Sequence, residues 1–227
     1  MKVSVIIPAA GQGRRMEAGV SKQFLLLGGE PILKRTLEVF LNEPSVSAVT
    51  LVVPEADVEA VSGEFGGGRG KLSEVVAGGK ERQDSVHNGL KSLSADTDVV
   101  LVHDGVRPFV TPQMIRAAAR AALDHGAAVA AIPVNDTLKR VDARGVIDGG
   151  VSREGLWRMQ TPQAFRYPLL LRAFDKARQD GFYGTDEVSL VERLGQEVFV
   201  VAGAESNIKI TRPEDLALAE ILLVARS

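Results

Sequence analysis

The sequence predicts an α/β fold, a mostly parallel sheet with helices on both faces and a projecting β-arm. Three observations predict it. Short apolar runs alternate along the chain with segments whose apolar residues recur at helical spacing. The runs are nearly continuous in Val, Ile, Leu and Ala rather than alternating with polar residues, as in strands buried on both sides of a parallel sheet. The rhythm breaks once, over residues 135–161, into short β-type pieces parted by the polar turns DARG and DGG.

Val3–Pro8 (VSVIIP) is the first expected strand. In PILKRTLEVFL, a proline at the first helical turn is followed by Leu33, Leu37 and Phe40 on one face. Val46–Pro54 is the second strand, followed by a short helix around Ala56–Val61 and a glycine-dense surface loop over Ser62–Lys71. Leu72–Gly79 is the third strand, entering a helix that carries Val86, Leu90 and Leu93 on one side. Asp98–Asp104 is the fourth strand. Thr111 and Pro112 then open an alanine-rich helix that Gly126 closes. Ala127–Val134 is the fifth strand, and the arm follows. Helical rhythm resumes at YPLLLRAFDKARQDG and TDEVSLVERLG. The chain then gives a strand in EVFVVAG, a short strand in NIKI, and a helix opened by the capping box TRPE. The expected organisation is one domain over 1–227, with the arm at about 135–160.

The composition narrows function. A chain of 227 residues, 45% hydrophobic and 25% charged, suits one soluble α/β domain with a sizeable core, or at most two small ones. Lys and Arg number 27 against 29 Asp and Glu, so there is no basic surplus to drive nucleic-acid binding. The absence of cysteine excludes disulfides, zinc-thiolate sites and thiol nucleophiles. The first apolar run is too short for a signal peptide or a membrane span, and a cytoplasmic protein that touches no membrane is expected.

In open α/β sheets ligands sit beyond the carboxyl ends of the strands. The loops expected there are AAGQGRRM…SK, GGKERQDS, HDGVRP and NDTLKR, which together hold glycines, cations, small hydroxyls and one carboxylate. Such a set suits a polyphosphate and a metal ion. Gly11 and Gly13 would let backbone amides approach an anion, or would simply make a tight strand-to-helix turn. The third glycine of a dinucleotide fingerprint is absent, and near Val39 and Phe40 no acid takes the strand-end place a ribose clamp needs, Glu38 lying in the expected helix, which argues against a nicotinamide enzyme. Arg14, Arg15 and Lys22 are either solvated loop charges or cations that stabilise a transferring phosphoryl group. Asp104, at the end of an apolar strand, is either a turn cap or a magnesium ligand, since magnesium needs only one or two carboxylates beside phosphate oxygens. His87, His103 and His125 lack metal-ligand spacing and read as structural or solvated. Lys209, between Ile208 and Ile210, reads on its own as an exposed edge-strand lysine pointing away from them. Trp157 reads as packing.

Taken together, IIPAAGQGRRM, SKQF, GGKERQDSV, HDGVRPF, DTLKR, LWRMQTPQAF, TDE and NIKITRPEDL resemble the cytidylyltransferases of the non-mevalonate isoprenoid pathway, over about residues 3–222. Those enzymes join CTP and 2-C-methyl-D-erythritol 4-phosphate, giving 4-diphosphocytidyl-2-C-methyl-D-erythritol and pyrophosphate. The resemblance implies a Rossmann-like fold of the nucleotidyltransferase type. It implies that Ala9, Ala10, Gly11, Gly13 and Arg15 form the loop that wraps the CTP phosphates. Arg15 and Lys22 would be the catalytic cation pair, with Lys209 and Arg107 as further site cations. Gly79 and Ser85 would read the cytosine, and Asp104 would associate with Mg2+ or another divalent cation. Thr137, Arg153 and Thr161, with Arg107, would hold the methylerythritol phosphate. The resemblance also implies a homodimer in which the arm carries Thr137 and Arg153 to a second subunit.

Two departures stand out. Ser21 precedes Lys22 where the family commonly has proline, and Gly105–Val106 replace two alanines. Neither removes a charge. The nearest rival is the sister cytidylyltransferase acting on ribitol 5-phosphate, against which Lys139 and Arg140 in DTLKR weigh. A rival of another class is a nucleotide-sensing protein without turnover, against which the retention of Arg15, Lys22, Asp104 and Lys209 weighs.

Overall fold

The computed structural model describes residues 1–11, 22–66, 68 and 70–226, with Lys22 described by its backbone alone. Gly13, Arg14 and Arg15 therefore lie outside the described residues.

The order of elements follows the sequence rhythm. β1 (Val3–Pro8) leads to a small hairpin, β2 (Leu26–Leu27) with β3 (Glu30–Pro31), and then to α1 (Ile32–Asn42), β4 (Val46–Val53) and α2 (Val58–Phe65). β5 (Leu72–Ala77), α3 (Arg82–Lys91), β6 (Val99–Val102), α4 (Pro112–His125) and β7 (Ala127–Pro133) continue the α/β alternation. The hairpin β8 (Leu138–Val141) and β9 (Ile147–Val151) follows. β10 (Trp157–Arg166), α5 (Tyr167–Gln179), α6 (Glu187–Glu192), β11 (Phe199–Ala202) and α7 (Pro213–Val224) complete the order.

Seven strands form one sheet in the order β11-β7-β10-β6-β1-β4-β5. All pair in parallel except β10, which runs antiparallel between β6 and β7. The sheet is thus mostly parallel, as the sequence predicts, but its antiparallel strand begins within the stretch expected to be arm. The arm proper is the exposed pair β8–β9, and residues from Trp157 onward belong to the sheet. A proline inside a central strand is costly because it removes a ladder donor. Here the β10–β7 register shifts between Met159 and Gln163, so Pro162 falls in an interruption of the ladder.

Strand alternation splits the core in two. Val3, Val5 and Ile7 join α1, α2 and α4 on one face, while Ile6 joins α3, α5 and α6 on the other. Leu33, Leu37 and Phe40 of α1 are fully buried, as their spacing predicts, each contributing roughly 1.5–3 kcal/mol. On α4, Thr111 accepts a hydrogen bond from the Met114 N–H at 3.2 Å, Pro112 occupies the first turn, and Gly126 ends the helix at φ +99°. Four details differ from expectation. Pro31 is the N-cap of α1 rather than its first helical residue. α2 continues to Phe65, four residues into the stretch expected to be loop. Asp215, not Glu214, closes the box before α7, accepting from the backbone of Thr211 and Arg212. Asn207–Ile210 forms no strand.

Candidate active site

Because β1, β5 and β6 run parallel, the segments that follow them emerge at one edge of the sheet. A cavity of about 680 Å³ opens there, lined by Ala9–Gly11, Gln23, Gly79–Arg82, Ser85, Asp104 and Lys209 among others. Backbone bonds fix its wall. The Ala9 N–H donates to Val52 O at 2.7 Å, Gly78 N–H to Val53 O at 2.8 Å, and Gly105 N–H to Pro8 O at 3.3 Å. A side chain on Gly78 would stand 2.3 Å from the Ala10 Cβ, so glycine there lets the β1 and β5 loops touch. The Ser85 hydroxyl accepts from the Gly79 N–H at 3.0 Å and donates to Glu81 O at 3.1 Å, closing the turn that opens α3.

Asp104 lies buried on the cavity floor among three cations. Lys209 Nζ stands 3.0 Å from its Oδ2, Arg107 Nε 3.3 Å from the same oxygen, and Arg82 Nη2 3.4 Å from Oδ1. Burial works against the Asp104 charge, yet Lys209, Arg82 and Arg107 hold its carboxyl well below the usual carboxylate range. Arg82 also donates from Nη1 to both oxygens of Glu187, at 2.7 and 2.9 Å. Desolvation opposes the Arg82 charge, and Glu187 and Asp104 more than reverse it. Burial pushes the Glu187 carboxyl up, and Arg82 pulls it back.

Behind Asp104 runs a neutral relay. Its backbone N–H donates to Thr161 Oγ1 at 3.1 Å. The Thr161 hydroxyl is then left to donate to His103 Nδ1 at 3.0 Å, and the His103 Nε2–H donates to Arg107 O at 3.0 Å. These partners select the neutral Nε2–H tautomer, and burial pushes the His103 pKa down to about 4. The segment carrying Lys209 is fastened at both ends. Asn207 Nδ2 donates to Gln160 Oε1 and Thr161 O, and the Ile210 N–H donates to Val106 O.

Against this geometry, a family profile described as "IspD: 2-C-methyl-D-erythritol 4-phosphate cytidylyltransferase" matches residues 3–225. The chain belongs to this family. It is 48% identical over 229 residues to the 2-C-methyl-D-erythritol 4-phosphate cytidylyltransferase of Geotalea uraniireducens, covering 98% of this chain and 97% of that one. Among solved structures it superposes on the 4-diphosphocytidyl-2C-methyl-D-erythritol synthase of Anaerococcus prevotii with a TM-score of 0.85 at 31% identity, covering 98% of this chain and 96% of that one. The 2-C-methyl-D-erythritol 4-phosphate cytidylyltransferase of Thermus thermophilus gives a TM-score of 0.80 at 38% identity, with both chains covered completely.

Of the site residues that the family resemblance implies, Ala9, Ala10, Gly11, Gly79, Ser85, Asp104 and Lys209 line the cavity. Half-buried Arg107 and buried Thr161 stand behind its floor, each bonded to Asp104. Thr137 and Arg153 lie on the arm outside the lining, where the Arg153 guanidinium donates to Asn135 O. The expected edge-strand Lys209 is instead the shortest ion-pair partner of Asp104. Trp157, expected to pack, is about two-fifths exposed. His103 is structural, as expected. Sequence reasoning missed Arg82, Glu187 and Gln23. Arg82 stood unremarked inside GGKERQDS, Glu187 inside TDE, and Gln23 inside SKQF. Gln23 is almost wholly buried, and its amide nitrogen has no hydrogen-bond partner among the described residues.

Among the described residues no group of three or more His, Cys, Asp or Glu side chains is placed to hold a metal. The donor set instead fits an ion that borrows its other ligands. Asp104 offers about four acceptor positions and meets three cations among the described residues, leaving room on Oδ1, where the Arg82 contact is long. One such carboxylate suits magnesium shared with phosphate oxygens and water. Among the described residues no helix is long and apolar enough to cross a membrane.

Proposed function

We propose that this chain transfers CMP from CTP to 2-C-methyl-D-erythritol 4-phosphate in the cytoplasm. The observation that carries the reading is the charge of the cavity floor, where buried Asp104 meets Lys209, Arg107 and Arg82 beside the backbone turn Ala9–Gly11. Such a floor favours a polyphosphate and the charge that develops when it is cleaved.

In the reaction, an oxygen of the methylerythritol phosphate attacks the α-phosphorus of CTP in line. The new O–P bond forms as the bond to the bridging oxygen of the β-phosphate breaks, and pyrophosphate leaves with that electron pair. The attacking oxygen is already anionic, so no general base is needed, which agrees with a site whose one histidine is buried and neutral. The chain supplies position and neutralising charge. Ala9, Ala10, Gly11, Gly13 and Arg15 hold the phosphates. Gly79 and Ser85 hold the cytosine. Arg15, Lys22 and Lys209 meet the charge of the transition state. A magnesium ion at Asp104 would polarise the phosphate oxygens it shares. Arg107, with Thr137 and Arg153 brought by the arm of a second subunit, holds the polyol phosphate, and Thr161 supports Asp104 from behind the floor. The whole chain acts as one domain with a dimerising arm.

The test is pyrophosphate release from CTP and magnesium, with 2-C-methyl-D-erythritol 4-phosphate and ribitol 5-phosphate offered separately. Turnover with the first alone is the expected result. Turnover with the second alone keeps the chemistry and overturns the substrate. CTP binding without turnover on either makes the chain a nucleotide-binding protein.

A further inference from the structure

We propose that Glu187 is a positioning residue for the transfer, acting through Arg82 to keep one oxygen of Asp104 open to the nucleotide and its metal; this rests on the reading that the cavity takes CTP. Glu187 is the first residue of α6 and is 1% exposed. Among the described residues of the cavity lining, only Arg82 is divided between two buried carboxylates, Glu187 and Asp104. Its Nη1 is 2.7 Å from Glu187 and its Nη2 is 3.4 Å from Asp104. The short bond sets where the guanidinium sits, and the long one is what remains.

The sequence around this pair is built to hold it. Three consecutive residues of α3 grip the segment that leads into α6. Arg82 takes Glu187. Gln83 donates to Phe182 O at 3.0 Å and accepts from the Gly184 N–H at 2.9 Å. Asp84 accepts from the Tyr183 hydroxyl at 3.4 Å. From the far side, Gln163 of β10 donates to Asp186 at 2.8 Å and accepts from the Val188 N–H at 3.2 Å. Segment 182–188 is thus fixed against both the nucleotide-facing turn of α3 and the strand behind Asp104.

A buried ion pair often contributes only to packing, and its desolvation cost can offset its attraction. The pairing geometry gives Glu187 a further consequence. Without its carboxylate, Arg82 has Asp104 as the carboxylate still in contact with it among the described residues, Asp186 acting only from farther away. A guanidinium pairs best with a carboxylate through two parallel bonds. Arg82 would close onto Asp104, occupy the free acceptor position on Oδ1, and withdraw its charge from the cavity. Glu187 prevents that collapse.

The experiment is a double-mutant cycle of Glu187→Gln and Arg82→Gln. It is read by steady-state kinetics and by calorimetric titration of CTP with and without magnesium. Glu187→Gln is expected to lower kcat about tenfold or more, the usual scale for losing the partner that orients a site group. It should weaken CTP binding more with magnesium than without it. In the Arg82→Gln background it should cause no further loss, because its effect passes through Arg82. Wild-type kcat in Glu187→Gln overturns the proposal, and so do losses that multiply across the cycle. Should Glu187→Gln alone fail to fold, Arg82→Gln and the double variant, which leaves neither charge behind, still decide by equal or unequal kcat. Should the wild type release no pyrophosphate, the functional reading fails on its own. The cycle is then read from CTP affinity, where unequal shifts for Arg82→Gln and the double variant overturn the proposal.

Discussion

Lys209 Nζ lies 3.0 Å from Asp104 Oδ2, although the two residues are far apart in the chain. The contact exists because Asn207 is tied to β10 and Ile210 to Val106, so the intervening lysine has one way to reach. Its side chain stays over one-third exposed, which leaves it able to meet a ligand. Lys209→Ala is therefore expected to lower kcat by about 100-fold, the scale of removing one transition-state donor. Thermal melts should fall as well, because Asp104 stays buried with Arg107 and Arg82 alone against its charge among the described residues. Lys22→Ala and Arg15→Ala should likewise lower kcat with modest loss of CTP binding. Wild-type kcat in any of the three removes that residue from the catalytic set.

Asp104→Asn strips the only negative charge that, among the described residues, pairs with Lys209, Arg107 and Arg82 together. Breaking a buried pair from one side leaves the partner charge uncompensated, and the expected cost is about 3–5 kcal/mol. Urea unfolding of the purified variant measures it. A loss under about 1 kcal/mol would mean that water already screens the floor.

His103 gives the fold a pH signature. Its pKa falls from 6.5 to about 4 on folding because burial disfavours the imidazolium. Between those values the unfolded chain binds more protons, so stability is complete above pH 6.5 and declines as pH falls toward 4. The full shift corresponds to about 3 kcal/mol. Urea unfolding at about pH 7 and about pH 4.5 should show most of that loss, and His103→Gln should flatten it. Asp104 titrates below this window, so an unchanged slope in His103→Gln would move the effect to another group.

Gly78→Ala would put a methyl group 2.3 Å from the Ala10 Cβ. The expected result is a loss of about 1–3 kcal/mol from overpacking, with weaker CTP binding. Ala10→Gly in the same chain should restore both by vacating the collision. Failure of that rescue would mean that the strain lies against Ser85, the other near neighbour.

What the sequence made legible were features whose cause is local. Thr111 and Pro112 open α4, Gly126 closes it, and the spacing of Leu33, Leu37 and Phe40 gives α1 its buried face. β10 was not legible because its cause is remote. WRMQTPQAFR holds polar residues and a proline where a central strand should be apolar. Gln160, Thr161 and Gln163 become tolerable only when Asn207, His103 and Asp186 meet them. The same holds in the site. The resemblance supplied Asp104 and Lys209 as separate residues, whereas their pairing, and the place of Arg82 between Asp104 and Glu187, exist only after folding.

The interruption in β10 divides the strand into two tenancies. Trp157–Met159 pair with β7 alone, while Gln163–Arg166 sit against β6 and, up to Phe165, β7 as well. The Asp142–Gly145 turn at the arm's tip lies outside both pairings, closed by its own backbone bonds. A change of length at that turn leaves the register of both halves in place, whereas a single residue inserted after Met159 would displace Gln160 and Thr161 from the side chains they hold.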